Sequence, residues 1–267
     1  MARSKRPDVH RVATHAEVTR LRALLREPQA RQGEGLFVAE GPRVVGAALD
    51  HDAPIATLYV GEGHAVQQYA ALIARAEEAG VAIRTLTHKV GDTRAPQPVF
   101  ALVQLAAVPV EILARSSLSV IVAVNDPGNA GTVVRSAAAA GAEAVALTAG
   151  SVDVHNPKVV RASAGAVFAL PVAGGVDSRA ALAAARSGGA QCLGAVPRAG
   201  SPPESFDLTR PTCFVLGHET RGLEADLALD ALVTVPMAGA ESLNLAMAAT
   251  VLLFEAARAR RAPGSAG

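Results

Sequence analysis

The sequence predicts an α/β fold built around a parallel sheet, and two features of its second half support that class. Residues 119–124 form a continuous apolar run rich in β-branched side chains, which is typical of a strand covered on both faces. A helix is predicted over 130–140, where Gly141 ends it, and residues 144–147 form the next apolar strand. Strands that alternate with helices in this way indicate a parallel sheet.

The rest of the second half continues this pattern. Further strands are predicted at 191–196, 212–216 and 232–235, and a long last helix at 242–260. Polar, glycine-containing loops follow three of the strands. Because the carboxyl ends of parallel strands meet at one edge of a sheet, we expect polar side chains from these loops to face one pocket. These side chains are Asn129, Glu219, Ser242 and Asn244.

The first half of the chain has the pattern of a smaller, separate α/β unit. It predicts helices at 17–26, 42–49 and 69–78 and strands at 35–39, 55–60, 81–86 and 99–105. A polar loop over 87–98 has the length that is typical of functional loops. The chain is therefore expected to comprise a basic arm (1–16), a first domain (17–105), a linker (106–118), a second domain (119–261) and a flexible tail (262–267).

Charge and cysteine content narrow the possible functions. The net charge is only +1, but residues 1–31 hold eight Lys and Arg residues against three acids, which suits a polyanion or a solvated helix face. Cys192 and Cys213 are expected to be buried thiols in a reducing cytoplasm. No His/Cys cluster indicates a metal, and no uninterrupted apolar run reaches the ~20 residues of a membrane helix. We therefore expect neither a metal nor a membrane partner.

Five motifs follow one another along the chain: 37–43 (FVAEGPR), 125–135 (NDPGNAGTVVR), 156–168 (NPKVVRASAGAVF), 214–223 (FVLGHETRGL) and 235–244 (VPMAGAESLN). Together they resemble the SpoU family of RNA ribose methyltransferases, within the SPOUT superfamily, over residues 17–261. The resemblance implies a C-terminal SPOUT domain with a parallel sheet and a deep trefoil knot, preceded by a small L30e-like α/β substrate-binding domain. It also implies S-adenosylmethionine as methyl donor, a 2′-hydroxyl of RNA as acceptor, and a homodimer with its active site near the dimer interface.

By the same resemblance Asn129, Arg135, Glu219, Ser242 and Asn244 are the catalytic residues. A guanidinium keeps its proton in proteins, so we expect Arg135 to clamp a phosphate and orient the hydroxyl rather than to act as a base. The two carboxamides suit hydrogen bonds to the ribose, to Arg135 or to the closing loops. Ser242 is expected to cap the last helix, to contact substrate, or both. Glu219 is expected to orient a catalytic partner.

The resemblance also assigns binding residues. The donor is expected to lie against Leu216, Gly217, Val235, Pro236 and Leu243. Candidates for contact with RNA phosphates in the first domain are Arg22, Arg26, Arg31 and Arg43. Lys158 and Arg161 either contact phosphates or only form a polar helix start. Ribosomal RNA is the favoured substrate, with transfer RNA second.

Two other functions are weighed against this one. A nucleotide- or NAD-dependent α/β enzyme is disfavoured because the loop at 125–131 lacks both the G-x-G-x-x-G fingerprint and the phosphate-binding loop motif. A noncatalytic RNA-binding ribosome assembly factor on the same fold stays open, because an intact set of motifs does not prove turnover. The motifs also do not separate a housekeeping enzyme from one that confers antibiotic resistance.

Overall fold

The computed structural model describes residues 11–91, 98–239 and 241–261. Within these ranges the chain divides between Leu105 and Ala106 into two compact units. The predictions for residues 1–10 of the arm, for residues 92–97 of the loop at 87–98 and for the tail at 262–267 lie outside the described residues.

The first unit is an α/β unit with one sheet in its described part. In chain order it contains β1 (Arg11–Val12), α1 (His15–Arg26), α2 (Pro28–Glu34), β2 (Leu36–Glu40), α3 (Pro42–Asp50), β3 (Ile55–Gly61), α4 (His64–Gln68), α5 (Ala70–Glu78), β4 (Ala82–Leu86) and β5 (Val99–Gln104). The strand order is β1-β4-β3-β5-β2, and β5 runs antiparallel to both of its neighbours. All seven elements predicted for this unit are present, with ends that differ by no more than two residues.

The second unit is a parallel α/β unit. After a short 3₁₀ helix (Val110–Arg115), its described part contains β6 (Leu118–Val122), α6 (Pro127–Ala140), β7 (Ala144–Thr148), α7 (Pro157–Ala162), α8 (Ala166–Ala169), β8 (Val172–Val176), α9 (Ser178–Ser187), β9 (Gln191–Ala195), β10 (Thr212–Leu216), β11 (Ala231–Val233) and α10 (Leu245–Arg261). The strands pair in the order β11-β9-β10-β6-β7-β8, and every pair is parallel. The prediction of a parallel sheet is therefore confirmed.

The core of this unit lies on both faces of the sheet. All five residues of β6, of β7 and of β10 are buried, which explains why their sequences are apolar apart from Ser119, Thr148 and Thr212. One face packs against α6 and α10, and the other packs against α9 and the 3₁₀ helix. Because β6 and β10 are neighbours although the chain leaves them in opposite directions across the sheet, their carboxyl ends form a topological switch point.

The sequence patterns missed or displaced a few elements of this unit. β8 was not predicted because two of its five residues are glycines, and the apolar pattern is too short without them. The last strand is at Ala231–Val233 rather than 232–235, and the last helix begins at Leu245 rather than at residue 242. Residues 234–239 and 241–244 therefore belong to a long loop at the edge of the sheet, in which residue 240 is not described.

Both cysteines are buried, as predicted, and they lie side by side. Cys213 of β10 is in register with Cys192 of β9, and neither side chain reaches solvent. The neighbouring Cys192 thiol and burial both raise the pKa of Cys213 well above its usual range, since neither environment favours a thiolate. The Cys213 side chain is thus a neutral core group.

Gly131 permits the close packing of α6 on α7. A Cβ atom at this position would lie 2.5 Å from the Cβ atom of Ala162, 2.6 Å from the carbonyl oxygen of Val159 and 2.8 Å from the amide nitrogen of Ser163. Two of these three atoms belong to the backbone, so no side-chain rotation relieves the clash. The contact holds α6, whose first turn carries Asn129, against the unit.

We predict that Gly131→Ala lowers the free energy of unfolding by about 1–3 kcal/mol, because overpacking forces the two helices apart. Equilibrium denaturation in urea measures the change. The matched control is Gly46→Ala in α3, where the nearest atom to the added Cβ would be the Cδ1 atom of Leu72, 4.0 Å away. That variant should be neutral or more stable by about 0.5–1 kcal/mol, because alanine favours a helix over glycine. Equal stability of the two variants would contradict the packing argument.

Candidate active site at the carboxyl edge of the second sheet

A cavity of about 540 Å³ opens where β9, β10 and β11 end and where α10 begins. Its volume is within the ~300–1,000 Å³ typical of small-molecule sites. The wall is largely aliphatic, with a few polar side chains among the apolar ones. It is formed by Ala195, Val196, Pro197, Leu216, Gly217, His218, Glu219, Thr220, Arg221, Gly222, Val233, Val235, Met237, Ser242, Leu243, Asn244, Leu245, Ala248 and Leu252.

Most of the predicted donor-binding residues line this cavity. Leu216, Gly217, Val235 and Leu243 form part of the wall, whereas Pro236 does not. Of the predicted catalytic residues, the wall includes Glu219, Ser242 and Asn244. The structure thus brings together side chains that are far apart in sequence.

The loop after β10 is a tight turn that requires glycine at both ends. The backbone amides of His218 and Gly222 each donate to the other residue's carbonyl oxygen, over 2.9 and 2.8 Å. Gly222 has φ 71°, in the left-handed region that favours glycine. A Cβ atom on Gly217 would lie 2.1 Å from the carbonyl carbon of Gly222, so only glycine fits where the turn closes. The turn projects Glu219 at its tip.

The imidazole of His218 supports this turn. Its Nδ1 atom accepts a hydrogen bond from the amide of Thr220 over 3.2 Å. Its Nε2 atom lies 2.9 Å from Nδ2 of Asn125, in the loop after β6. His218 therefore joins the loops after the two central strands, which is a structural role.

A chain of carboxamides connects the start of α10 to Glu219. Asn244 Oδ1 accepts hydrogen bonds from the amides of Ala246 (2.9 Å) and Met247 (3.3 Å). Asn244 Nδ2 donates to Asn129 Oδ1 over 3.1 Å, and Asn129 Nδ2 in turn donates to Glu219 Oε1. We call these three side chains, Asn244, Asn129 and Glu219, the carboxamide relay.

The oxygen and NH₂ group of each carboxamide in the relay have one defined orientation. The amides at the start of α10 can only donate, so Asn244 must present its oxygen to them and its NH₂ group to Asn129. The same argument then directs the NH₂ group of Asn129 to the carboxylate of Glu219. Asn129 is itself held by the cap of α6, where its amide donates to Asp126 Oδ1 over 2.7 Å.

This geometry corrects the prediction for Ser242. The residue that caps the last helix is Asn244, because α10 begins at Leu245. Ser242 precedes the cap, is exposed, and makes no hydrogen bond with another described residue. Its hydroxyl lines the cavity and is available to a ligand.

Arg135 lies apart from the relay. It is exposed on α6, six residues after Asn129, and it makes no hydrogen bond or ion pair within the described ranges. It is also absent from the cavity wall. The next residue, Ser136, lies 2.7 Å from the Thr250 hydroxyl of α10, so Arg135 adjoins the contact between these two helices in the chain.

The predicted RNA-binding residues differ in how accessible they are. Arg31 is a correction: it is only 1% exposed and donates to the carbonyl oxygen of Leu24 over 2.8 Å, so it stabilises the first unit and is not available to RNA. Arg22 is half-buried and donates to the carbonyl oxygen of Lys89. Arg161 is also half-buried and has a partner within the chain. The exposed members of the set are Arg26, Arg43 and Lys158.

Several lining residues were missed by the sequence analysis. Ala195 is the last residue of β9, Val196 and Pro197 follow it, and Met237 lies in the loop after β11. The other loops were located because ligands bind at the carboxyl ends of parallel strands, and the same rule applies to β9. Ala248 and Leu252 of α10 carried no signal, because an aliphatic residue on a helix is normally a core residue.

Two further observations concern metals and membranes. Among the described residues, no group of three or more His, Cys, Asp or Glu side chains is arranged to hold a metal ion. Across the same ranges, no helix combines the length and apolar character needed to cross a bilayer.

Comparison with known families matches both units. The sequence model of the SpoU rRNA Methylase family matches residues 117–254. The model of the MRM3-like substrate binding domain matches residues 16–101.

Individual proteins give the same result. The chain is 32% identical to the 23S rRNA (uridine(2479)-2′-O)-methyltransferase of Streptomyces viridochromogenes over 97% of both chains. Its structure is similar to that of the SpoU methyltransferase AviRb from the same organism in complex with AdoMet, with a TM-score of 0.79, 30% identity and coverage of 92% of this chain and 98% of the other. It is also similar to an AdoMet-bound rRNA methyltransferase from Sinorhizobium meliloti, with a TM-score of 0.80, 30% identity and coverage of 93% and 96%. Since the family model spans more than half of the chain and a relative matches along nearly all of it, the chain belongs to the SpoU rRNA methylase family.

Proposed function

We propose that this protein transfers a methyl group from S-adenosylmethionine to a ribose 2′-hydroxyl of ribosomal RNA. The observation that carries the proposal is the carboxamide relay, which fixes a carboxylate in the wall of a largely apolar cavity. Relatives also support the proposal. A protein that is similar over 97% of both chains is named a 23S rRNA 2′-O-methyltransferase, and similar solved structures contain AdoMet.

The cavity suits that donor. When bound, S-adenosylmethionine supplies a methyl group activated on a positively charged sulfonium. The aliphatic wall, including Leu216, Val235 and Leu243, suits the faces of the adenine ring, and exposed backbone at the turn after Gly217 suits its polar edge. Glu219, in the same wall, is the complementary charge for a cation. Pro236 is not in the wall, and we assign it to the shape of the loop.

The relay then positions the acceptor. Glu219 is held by Asn129 and has a second oxygen with which it can accept a hydrogen bond from the ribose hydroxyl. Ser242 offers a free hydroxyl in the same wall. Most of the rate enhancement would come from holding the hydroxyl in line with the methyl group, because positioning alone is worth several orders of magnitude.

The protein is further proposed to act as a homodimer. Met247, Val251 and Phe254 form one stripe along α10, at spacings of four and three residues, and are 51%, 38% and 41% exposed. An apolar stripe of this kind on a helix that otherwise packs on α6 indicates a protein interface. Arg135 adjoins Ser136, whose hydroxyl contacts α10, and we infer that Arg135 acts at a site that the dimer completes, where it clamps a phosphate of the RNA.

The RNA is proposed to extend onto the first unit, which belongs to a class of substrate-binding domains. Arg26 and Arg43 are exposed there, and Lys158 is exposed at the start of α7 in the second unit. Contacts from such residues to phosphates would make the binding weaken as salt increases. A ribosomal RNA substrate would place the protein in the cytoplasm.

The experiment that tests this function incubates the purified protein with radiolabelled S-adenosylmethionine and unmodified ribosomal or transfer RNA. Label is expected on a ribose 2′-oxygen at one position of ribosomal RNA. Donor binding without label on naked RNA or on ribosomal particles would instead favour a noncatalytic assembly factor.

We predict that Arg135→Ala lowers kcat about 100-fold or more while the Kd for S-adenosylmethionine stays within twofold, because Arg135 orients the acceptor and is absent from the donor cavity. Arg135→Lys keeps the charge but loses the bidentate geometry, so it should restore RNA binding more than turnover. The control is Arg179→Ala, an exposed arginine on α9. Turnover by Arg135→Ala at the wild-type rate would remove the assignment.

We also predict that Phe254→Glu converts a wild-type dimer into a monomer, because a buried charge without a partner is costly at an interface. Light scattering coupled to size exclusion measures the mass, and circular dichroism checks that the variant is folded. Val66→Glu is the matched control, since Val66 is also an exposed apolar residue (36%) but lies in the first unit. A monomeric wild-type protein, or a Phe254→Glu variant that stays dimeric, would contradict the proposed interface.

A further inference from the structure

A second cavity, of about 500 Å³, lies beside the first. The two cavities share Pro197, Val235 and Met237 in their walls. The second is the more open one, and its own wall contains the two charged side chains of Arg198 and Glu241. The sequence motifs do not include Arg198.

The loop that carries Arg198 is held rigidly although it is exposed. The Thr234 hydroxyl accepts a hydrogen bond from the amide of Gly200 (2.9 Å) and donates one to the carbonyl oxygen of Val196 (3.1 Å). The backbone of Ser201 adds two more hydrogen bonds, donating to Leu232 over 3.0 Å and accepting from Thr234 over 2.9 Å. Hydrogen bonds therefore connect both ends of the loop after β9 to the end of β11 and the residue that follows it.

The residue at the tip of this loop has an unusual conformation. Ala199 has φ 64°, a left-handed conformation that a residue with a Cβ atom rarely adopts. Residues held in such conformations cluster at ligand sites, because the surrounding structure must impose the strain. Ala199 and its neighbour Arg198 both line the second cavity.

The Arg198 guanidinium has no partner in the described part of the chain. It is exposed and makes no hydrogen bond or ion pair there, and Glu241 does not pair with it although both line the cavity. Among the described lining residues Arg198 is the one cation. An unpaired guanidinium at a concave site matches the geometry of a phosphate, to which it can donate two parallel hydrogen bonds.

The connectivity of RNA decides between two possible anions, a phosphate of the substrate and the carboxylate of the donor. When a ribose is at the mouth of the first cavity, the phosphates bonded to its nucleotide must lie directly outside that mouth. The second cavity has this location, since the two share three wall residues. The first cavity, which is the proposed donor site, has a cation of its own in its wall, Arg221, and Arg198 does not line it.

We propose that the second cavity is an RNA subsite in which Arg198 binds a backbone phosphate that flanks the target ribose. This inference rests on the proposed function, and it assigns the strained loop after β9 to substrate binding. Glu241, in the same wall, weakens the attraction for an anion, so that binding there depends on the Arg198 guanidinium.

The test compares Arg198→Ala, Arg198→Lys and the control Arg179→Ala in the full-length protein. Binding of unmodified ribosomal RNA is measured by filter retention at several salt concentrations, without S-adenosylmethionine. Arg198→Ala should weaken RNA binding about tenfold. It should also make the slope of log K against log salt concentration shallower by the amount expected for about one phosphate contact. Arg198→Lys should fall between Arg198→Ala and wild type, and Arg179→Ala should match wild type.

Kinetics and donor binding complete the test. Arg198→Ala should raise KM for RNA with kcat changed less than threefold, and the Kd for S-adenosylmethionine should be unchanged. Unchanged RNA affinity and salt dependence would overturn the inference, as would a loss of donor affinity with RNA affinity intact. Because RNA binding is measured without methyl transfer, a wild-type protein that binds RNA but never methylates it would overturn the proposed function alone.

Discussion

The carboxamide relay is the interaction on which the candidate site depends. It begins at backbone amides of α10, which can only donate, and it ends at the carboxylate of Glu219, which can only accept. Between these two ends, Asn244 and Asn129 each have one possible orientation. Three segments that are distant in sequence thereby acquire one relative position, and the described residues include neither a disulfide nor a cluster of three or more possible metal ligands.

The parallel sheet explains why such a relay can form at all. All six strands of the second unit's described sheet run in one direction, so every strand-end loop lies at the same edge. The two central strands, β6 and β10, place the loops of Asn129 and Glu219 next to each other at the switch point. Close packing of α6 on α7 also holds the Asn129 loop in place, because Gly131 lets the two helices approach more closely than any larger residue would allow.

The edge of the sheet differs from the core in its backbone conformations and in its charged side chains. The core side chains of β6, β7 and β10 are buried in regular strands. The loop conformations at Gly222 and Ala199, and the free guanidiniums of Arg135 and Arg198, all belong to the edge or to the helices beside it. A rigid apolar core can impose such conformations because it resists deformation.

The sequence by itself determined the fold class, the order of most elements and the residues of the relay. It could do so because apolar periodicity, Gly141 and the polar loops are local signals that the chain carries without its tertiary structure. The motifs that resemble one family identified Asn129, Glu219 and Asn244 as members of one site before any geometry was known.

Only the tertiary structure decided which side chains meet and which are accessible. Arg31 has the same sequence signal as Arg26, yet one is buried and the other exposed, because burial depends on how a helix is rotated against its sheet. Asn244 rather than Ser242 caps α10, since the start of that helix is set by the loop contacts of its neighbours. Arg198 carried no motif, and its place in a cavity wall follows from hydrogen bonds between loops more than 30 residues apart. Such contacts are non-local, so no pattern in a short window of sequence contains them.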